Sequence, residues 1–172
     1  MYNNIKLILW DFGGVLTKSP LAKFTEYEKK HNVPLGTIIK INSHNKLNNA
    51  WAKLEKNLIS KEEFSELFLK EARELSIKEK LDTNKILDCL NVELEPIMVD
   101  IFFKLKKKIS CACLTNNIQN NYNIMSNNTF NAFKNNFSYV FESSKLGLRK
   151  PEEEIYKHVL RFLKLPPQNI LF

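Results

Sequence analysis

Three short polar stretches in this chain each follow an apolar run, and together they hold the residue types that chemistry needs. Asp11-Phe12-Gly13-Gly14 follows Ile5–Trp10, Thr115-Asn116-Asn117 follows Ile109–Leu114, and the segment Glu142–Lys150 follows Ser138–Phe141. A carboxylate such as Asp11 can act as a covalent nucleophile when a metal and a lysine neutralise the phosphoryl oxygens it approaches. An aspartate at that place can equally just shape a turn. Thr115 and Asn116 read likewise as either a binding pair or an asparagine-rich turn, and Gly13 with Gly14 allows a tight turn. Lysine is too common here for position alone to single out Lys150 or Lys145.

The three stretches fall at the ends of strands. Ile5–Trp10 breaks abruptly into its turn, as a buried parallel strand does. Ile109–Leu114 and Ser138–Phe141 read as two more strands, and Asn169–Phe172 as the start of a fourth. Between the first and second strands, residues of about 18–92 read as helices only. Ser19-Pro20 opens one that runs to about Lys30, Thr37 caps another, and Asn48–Asn57 forms a third. Ser60 and Glu63 make a capping box ahead of Phe64, Leu67, Phe68, Ala72 and Leu75, and Asp82–Leu90 forms one more helix. Glu95-Pro96 opens a helix whose apolar stripe is expected at Ile97, Ile101 and Leu105, with Met98 and Phe102 beside it. Asn120–Asn136, which includes Tyr122 and Ile124, reads as loop and irregular helix. Pro151 is expected to start a helix with Ile155, Val159, Leu160 and Leu163 on one face.

This order predicts an α/β fold: a Rossmann-like parallel sheet core with an α-helical cap inserted after the first strand. The core takes residues 1–17 and 93–172, and the cap 18–92. Ligands of such sheets bind beyond the carboxyl ends of the strands, where the three polar stretches lie.

Composition narrows the remaining classes. The 172 residues carry a net charge of +7, but only three of the 26 basic residues are arginines (Arg73, Arg149 and Arg161), and 21 residues are asparagine. A lysine-asparagine excess spread along the chain argues against specific nucleic-acid binding. Lys104, Lys106, Lys107 and Lys108 crowd a helix end, where they favour its dipole. Cys89, Cys111 and Cys113 form no CxxC pair and have no histidine nearby, so they read as reduced buried thiols. Cys111 and Cys113 share one side of their strand. No apolar run reaches the length of a membrane span, and a cytoplasmic protein is expected.

Taken in order, Ile-Leu-Trp-Asp11-Phe-Gly-Gly-Val-Leu-Thr, Cys-Leu-Thr115-Asn116-Asn117 and Phe-Glu-Ser-Ser-Lys-Leu-Gly-Leu-Arg-Lys150-Pro151 resemble the first three motifs of the haloacid dehalogenase-like hydrolases. They look most like the N-terminal phosphatase domain of soluble epoxide hydrolase and its relative in acyl-CoA dehydrogenase family member 10 proteins. The resemblance implies a phosphomonoester phosphatase in which Asp11 forms an aspartyl-phosphate and binds Mg²⁺ together with the Gly13 backbone carbonyl. It implies that Thr115 binds a phosphoryl oxygen, Asn116 orients substrate or nucleophile, and Lys150 neutralises Asp11 and the phosphate. The substrate implied is a small phosphorylated metabolite or lipid phosphate.

Two departures temper that expectation. Gly13 stands where the family usually has a second aspartate as general acid, help that is typically worth about 10²–10⁴-fold. The acidic fourth motif that completes the Mg²⁺ site would follow the strand at Asn169–Phe172, and the chain reads as truncated before it. Glu142 and Glu152–Glu154 are the nearest acidic residues in sequence. Weak or absent activity is therefore expected, and a non-catalytic phosphate-binding remnant or truncated product stays open beside the enzyme. An exposed sheet edge would favour a homodimer. A phospho-acceptor receiver domain fits less well, because it has no large helical insert after its first strand. A metal-free dehalogenase would need a halide-binding cluster, and none is identifiable.

Overall fold

A computed structural model of the chain describes residues 4–119 and 125–172. Its centre is a four-stranded sheet of β1 (Leu7–Trp10), β2 (Ser110–Thr115), β3 (Tyr139–Glu142) and β4 (Ile170–Leu171), in the order β3-β2-β1-β4. All three pairings are parallel. This is the mixed α/β architecture that the strand and helix order predicts, with β4 beside β1.

Alternation along the strands sorts the two faces. Leu7 and Leu9 join Ala112, Leu114 and Phe141 on one face, covered by Ile155 and Val159 of helix α9 (Glu153–Leu163). Trp10 joins Cys111 and Cys113 on the other, against Phe102 of helix α6 (Pro96–Lys106) and Phe133 of helix α7 (Met125–Phe133). The two cysteines thus share a face, as their spacing predicts, and both are free thiols. Burial pushes their thiols up.

The helical block holds α1 (Leu21–Lys30), α2 (Thr37–Ser43), α3 (Ala50–Glu55), α4 (Lys61–Glu74) and α5 (Thr83–Asp88). Its own apolar cluster centres on Phe24, Ile38, Trp51, Phe64, Phe68 and Ile86. Local signals set these helices. Ser60 and Glu63 form the reciprocal capping box of α4, and the side chains of Asn49 and Asp82 accept the N–H groups of Ala52 and Lys85 at the starts of α3 and α5. The start of α2 depends on a distant residue. The carboxylate of buried Glu28 accepts the N–H groups of Gly36 and Ile38, each at 2.8 Å, and Thr37 instead donates to the Pro34 carbonyl. The chain leaves and re-enters the sheet layer along one antiparallel bridge between Thr17 and Leu94, flanked by Lys18 N–H to Glu93 O and Glu95 N–H to Leu16 O.

Three expectations need correcting. The buried side of α6 is rotated from the expected stripe: Phe102 is fully buried, whereas Ile97 is 70% exposed. The aromatic cluster is the reason, because Phe102 meets Trp10, Phe133 and Phe137 at ring separations of 5.5, 5.1 and 4.9 Å. Pro151 does not open α9; it sits in the preceding turn, and Glu152 is the N-cap. Asn120–Asn136 contains a helix, α7, followed by a 3-10 turn at Lys134–Asn136, while residues 120–124, Tyr122 and Ile124 included, lie outside the described residues. Among the described residues no helix is long and apolar enough to cross a membrane.

Candidate active site

The polar stretches named from sequence meet at the carboxyl edge of the sheet. Asp11 follows the last residue of β1, Thr115 ends β2, and Glu142 ends β3. Asp11 Oδ2 lies 2.6 Å from Lys150 Nζ, and Oδ1 accepts the Phe12 N–H at 2.7 Å. The pair is only partly screened, with Lys150 14% and Asp11 34% exposed at the side chain. The Phe12 carbonyl accepts the N–H groups of Leu16 and Thr17, and the Thr17 hydroxyl accepts the Gly14 N–H at 3.0 Å, which closes the turn after Asp11.

That turn needs glycine at position 14, where φ is +76°, but not at position 13. A Cβ at Gly13 would meet no atom within 4 Å and needs no left-handed backbone. Gly13 therefore answers no steric demand of the turn.

Two adjacent asparagines fasten the neighbouring loops. Asn116 makes a reciprocal pair with the main chain of Lys150: its Nδ2 donates to the Lys150 carbonyl at 3.0 Å, and its Oδ1 accepts the Lys150 N–H at 2.9 Å. Both ends of the Asn116 amide are thus committed to holding Lys150 in place. Asn117 does the same for α8 (Ser143–Leu146), the single helical turn after β3, donating to Glu142 Oε2 at 2.7 Å and accepting from the Ser144 N–H and hydroxyl. Sequence reasoning did not single out Asn117. The Thr115 side chain is buried and makes one long contact, to the Asn116 carbonyl at 3.5 Å.

The other acidic and basic candidates have different duties. Lys145 is paired with Glu142, away from Asp11. Glu152 pairs with Lys56 of the helical block at 2.8 Å, and Glu153 and Glu154 pair with Lys157. Among the described residues no group of three or more His, Cys, Asp or Glu side chains could hold a metal ion. Mg²⁺ asks for about six oxygens in near-octahedral order. The donors here are one carboxylate, already holding the Phe12 N–H and the Lys150 ammonium, and the Gly13 carbonyl. The described residues do not by themselves fit Mg²⁺.

Over this edge lies a cavity of about 120 Å³ whose floor includes Gly13, Thr115, Asn116 and Asn117. Its roof comes from the helical block and the segment returning from it: Trp51, Glu55, Leu90 and Val92. Glu55 accepts from Arg149 Nε at 2.7 Å and from Trp51 Nε1 at 3.1 Å, and its side chain is 13% exposed. Burial pushes its carboxyl up, against the opposing pull of the Arg149 guanidinium. The Glu55 carbonyl also accepts the Ser143 hydroxyl at 2.7 Å, and Arg149 donates to the Lys46 carbonyl. Glu55 carries no motif, and Arg149 lies within the third quoted stretch without a role assigned to it there. The signals available were the i, i+4 spacing of Trp51 and Glu55 and the position of one of three arginines directly before Lys150.

A parallel sheet with an aspartate and a threonine at the ends of two strands and a lysine on the loop after a third, with a helical block over them, defines an α/β protein with its candidate site at the carboxyl edge of the sheet. The family model for haloacid dehalogenase-like hydrolases matches residues 5–172, and the chain belongs to that family. Acyl-CoA dehydrogenase family member 10 of Mus musculus is 28% identical over 173 residues, covering 97% of this chain and 16% of that protein. The chain thus spans a small part of that relative's length. Among solved structures, a HAD family enzyme of Bacteroides thetaiotaomicron in complex with magnesium and inorganic phosphate superposes with a TM-score of 0.60. It is 21% identical and is matched over 96% of this chain and 82% of its own. L-2-haloacid dehalogenase of Xanthobacter autotrophicus, with chloropropionic acid covalently bound, superposes with a TM-score of 0.62. It is 16% identical, over 98% of this chain and 69% of its own. At these identities both structures share the fold.

Proposed function

We propose that this chain is a phosphomonoester hydrolase of low turnover, with Asp11 as nucleophile and a small phosphorylated metabolite or lipid phosphate as substrate. The observation that carries the reading is the Asp11–Lys150 pair, 2.6 Å apart at the carboxyl edge of the parallel sheet. An Asp11 carboxylate oxygen attacks phosphorus, the bond from phosphorus to the alcohol oxygen breaks, and an aspartyl-phosphate forms. Water then attacks that phosphorus, releasing inorganic phosphate and restoring Asp11. Lys150 exchanges its contact with Asp11 for a phosphoryl oxygen as substrate enters, and the Thr115 hydroxyl turns to a second. Asn116 keeps Lys150 in register through its two main-chain hydrogen bonds. The helical block of residues 18–92 acts as the cap that excludes water from the cavity.

Low turnover follows from Gly13. With no carboxyl there, the leaving alkoxide takes its proton from water, so substrates whose leaving group is a stable anion react best. The same observation, with a donor set that falls short for Mg²⁺, favours one second reading: a site that binds phosphate without hydrolysing it.

Hydrolysis of p-nitrophenyl phosphate, with and without added Mg²⁺, separates the readings. The enzyme gives slow turnover that Asp11→Asn abolishes; the binding protein gives none and still retains inorganic phosphate in equilibrium dialysis. Release of chloride from 2-chloropropionate, lost in Asp11→Asn, would contradict both.

A further inference from the structure

The cavity beside Asp11, lined by Phe12, Gly13, Thr115 and Asn116 but not by Asp11 or Lys150 themselves, has an asymmetric wall, and the asymmetry says which phosphomonoesters it admits. Most of the surface away from the strand ends is apolar, from Phe12, Trp51, Leu90, Val92, Ile118 and Phe130. Glu55 is the one carboxylate among the lining residues. Its charge partner Arg149 is not among them; the guanidinium is bonded to Glu55 Oε2 and to the Lys46 carbonyl. The cavity therefore meets the negative member of the pair and not the positive one. A carboxylate offers about four lone-pair sites. Trp51 Nε1 and Arg149 Nε are the two donors to this one, which leaves acceptor capacity for a third.

We propose that Glu55 sets the substrate class: a phosphomonoester of a compact, largely apolar alcohol that carries a hydrogen-bond donor, hydroxyl or ammonium, and no second anionic group. This rests on the phosphomonoester reading above. The phosphoryl group sits at Asp11 and Lys150, the carbon chain lies against Trp51 and the aliphatic wall, and the donor reaches Glu55. The cavity of about 120 Å³ holds one small organic group. A carboxylate or second phosphate there faces Glu55 in a partly desolvated site, where like charges repel strongly. The ion pair with Arg149 also fastens the helical block to the sheet layer, but a fastening role alone gives no preference among ligands of equal size.

The test is calorimetric binding to the full chain of four probes: inorganic phosphate, propyl phosphate, 3-aminopropyl phosphate and 3-phosphooxypropanoate. The expected order places 3-aminopropyl phosphate tightest and 3-phosphooxypropanoate weakest, with roughly tenfold or more between those extremes. Glu55→Gln should bring the two within about threefold of each other. Should that variant melt early because Arg149 is left unpaired, Glu55→Gln combined with Arg149→Met removes both charges and must give the same collapse. Equal affinities in the unmodified chain, or a spread that survives loss of the carboxylate, would overturn the role of Glu55 while leaving phosphate binding intact. If inorganic phosphate and all three esters fail to bind, the phosphomonoester reading itself falls, and the proposal with it.

Discussion

The floor and the roof of the cavity are built by different means. The floor consists of strand ends, and its side chains are fixed by amide hydrogen bonds, as Asn116 holds the Lys150 main chain and Asn117 holds the Glu142 and Ser144 side chains at the end of β3. The roof is carried by α3 and by the segment returning from the helical block. It is tied to the floor by a few side-chain contacts of large sequence separation: Glu55 to Arg149, Glu55 to Ser143, and Lys56 to Glu152. A floor of this kind suits one repeated chemical task on one group. A roof of this kind can change its lining without disturbing that task. On the proposed reading, phosphate is handled below and the alcohol is chosen above.

The contrast can be sharpened or broken by substitution. The largest effect is expected from Gly13→Asp, which adds a carboxyl two residues after Asp11 at a position where a Cβ has open space and the backbone needs no strain. It should raise kcat on alkyl phosphates by about 10²–10⁴-fold, with a smaller gain on p-nitrophenyl phosphate, whose leaving group needs no proton. Steady-state kinetics on both substrates checks this, and an unchanged alkyl phosphate rate would mean the floor lacks more than an acid.

Next comes the support beneath the floor. Phe102→Ala should lower stability by about 3–5 kcal/mol, because Phe102 joins Trp10 of β1 to Phe133 and Phe137. Ile97→Ala, on the exposed side of α6, should stay within about 0.5 kcal/mol of the parent. Urea titrations of the two variants decide it, and the reverse order would contradict the observed phase of α6.

Asn116→Ala should act on rate more than on stability. Losing both bonds to the Lys150 main chain should cost about 1–2 kcal/mol in a melting experiment and lower kcat about tenfold through a misplaced ammonium. An equal effect on kcat of Asn117→Ala would show that the two fastenings are not distinct.

The smallest effect belongs to the thiols. Burial pushes Cys89 up to about 11, so between about pH 9 and 11 the folded chain keeps a proton that the unfolded chain gives up. Stability should therefore fall as pH rises through that window, and Cys89→Ser should flatten the fall in pH-dependent melts. A slope unchanged by Cys89→Ser would mean that another group controls it.

These two regions also differed in what could be read from sequence. The floor was legible because each element is contiguous: an apolar run, a turn and a polar residue fall within ten positions of one another, as at Ile5–Gly14 and Ile109–Asn117. The helices were legible through local caps such as Ser60 with Glu63. What escaped depends on distant partners. The phase of α6 is set by rings on β1 and after α7, not by its own stripe. Glu28 was hidden because it caps α2 from α1, and Glu55 because its partner is 94 residues away.

The central claim, that Asp11 is a phosphoryl-accepting nucleophile, has one direct measurement. The chain is mixed with p-nitrophenyl phosphate, quenched in acid and digested, and the peptide containing Asp11 is weighed by mass spectrometry. The account predicts a mass gain of one phosphoryl group on that peptide, removed by hydroxylamine and missing in Asp11→Asn. Hydrolysis that proceeds unchanged in Asp11→Asn, with no phosphoryl group on the Asp11 peptide of the parent chain, would contradict it.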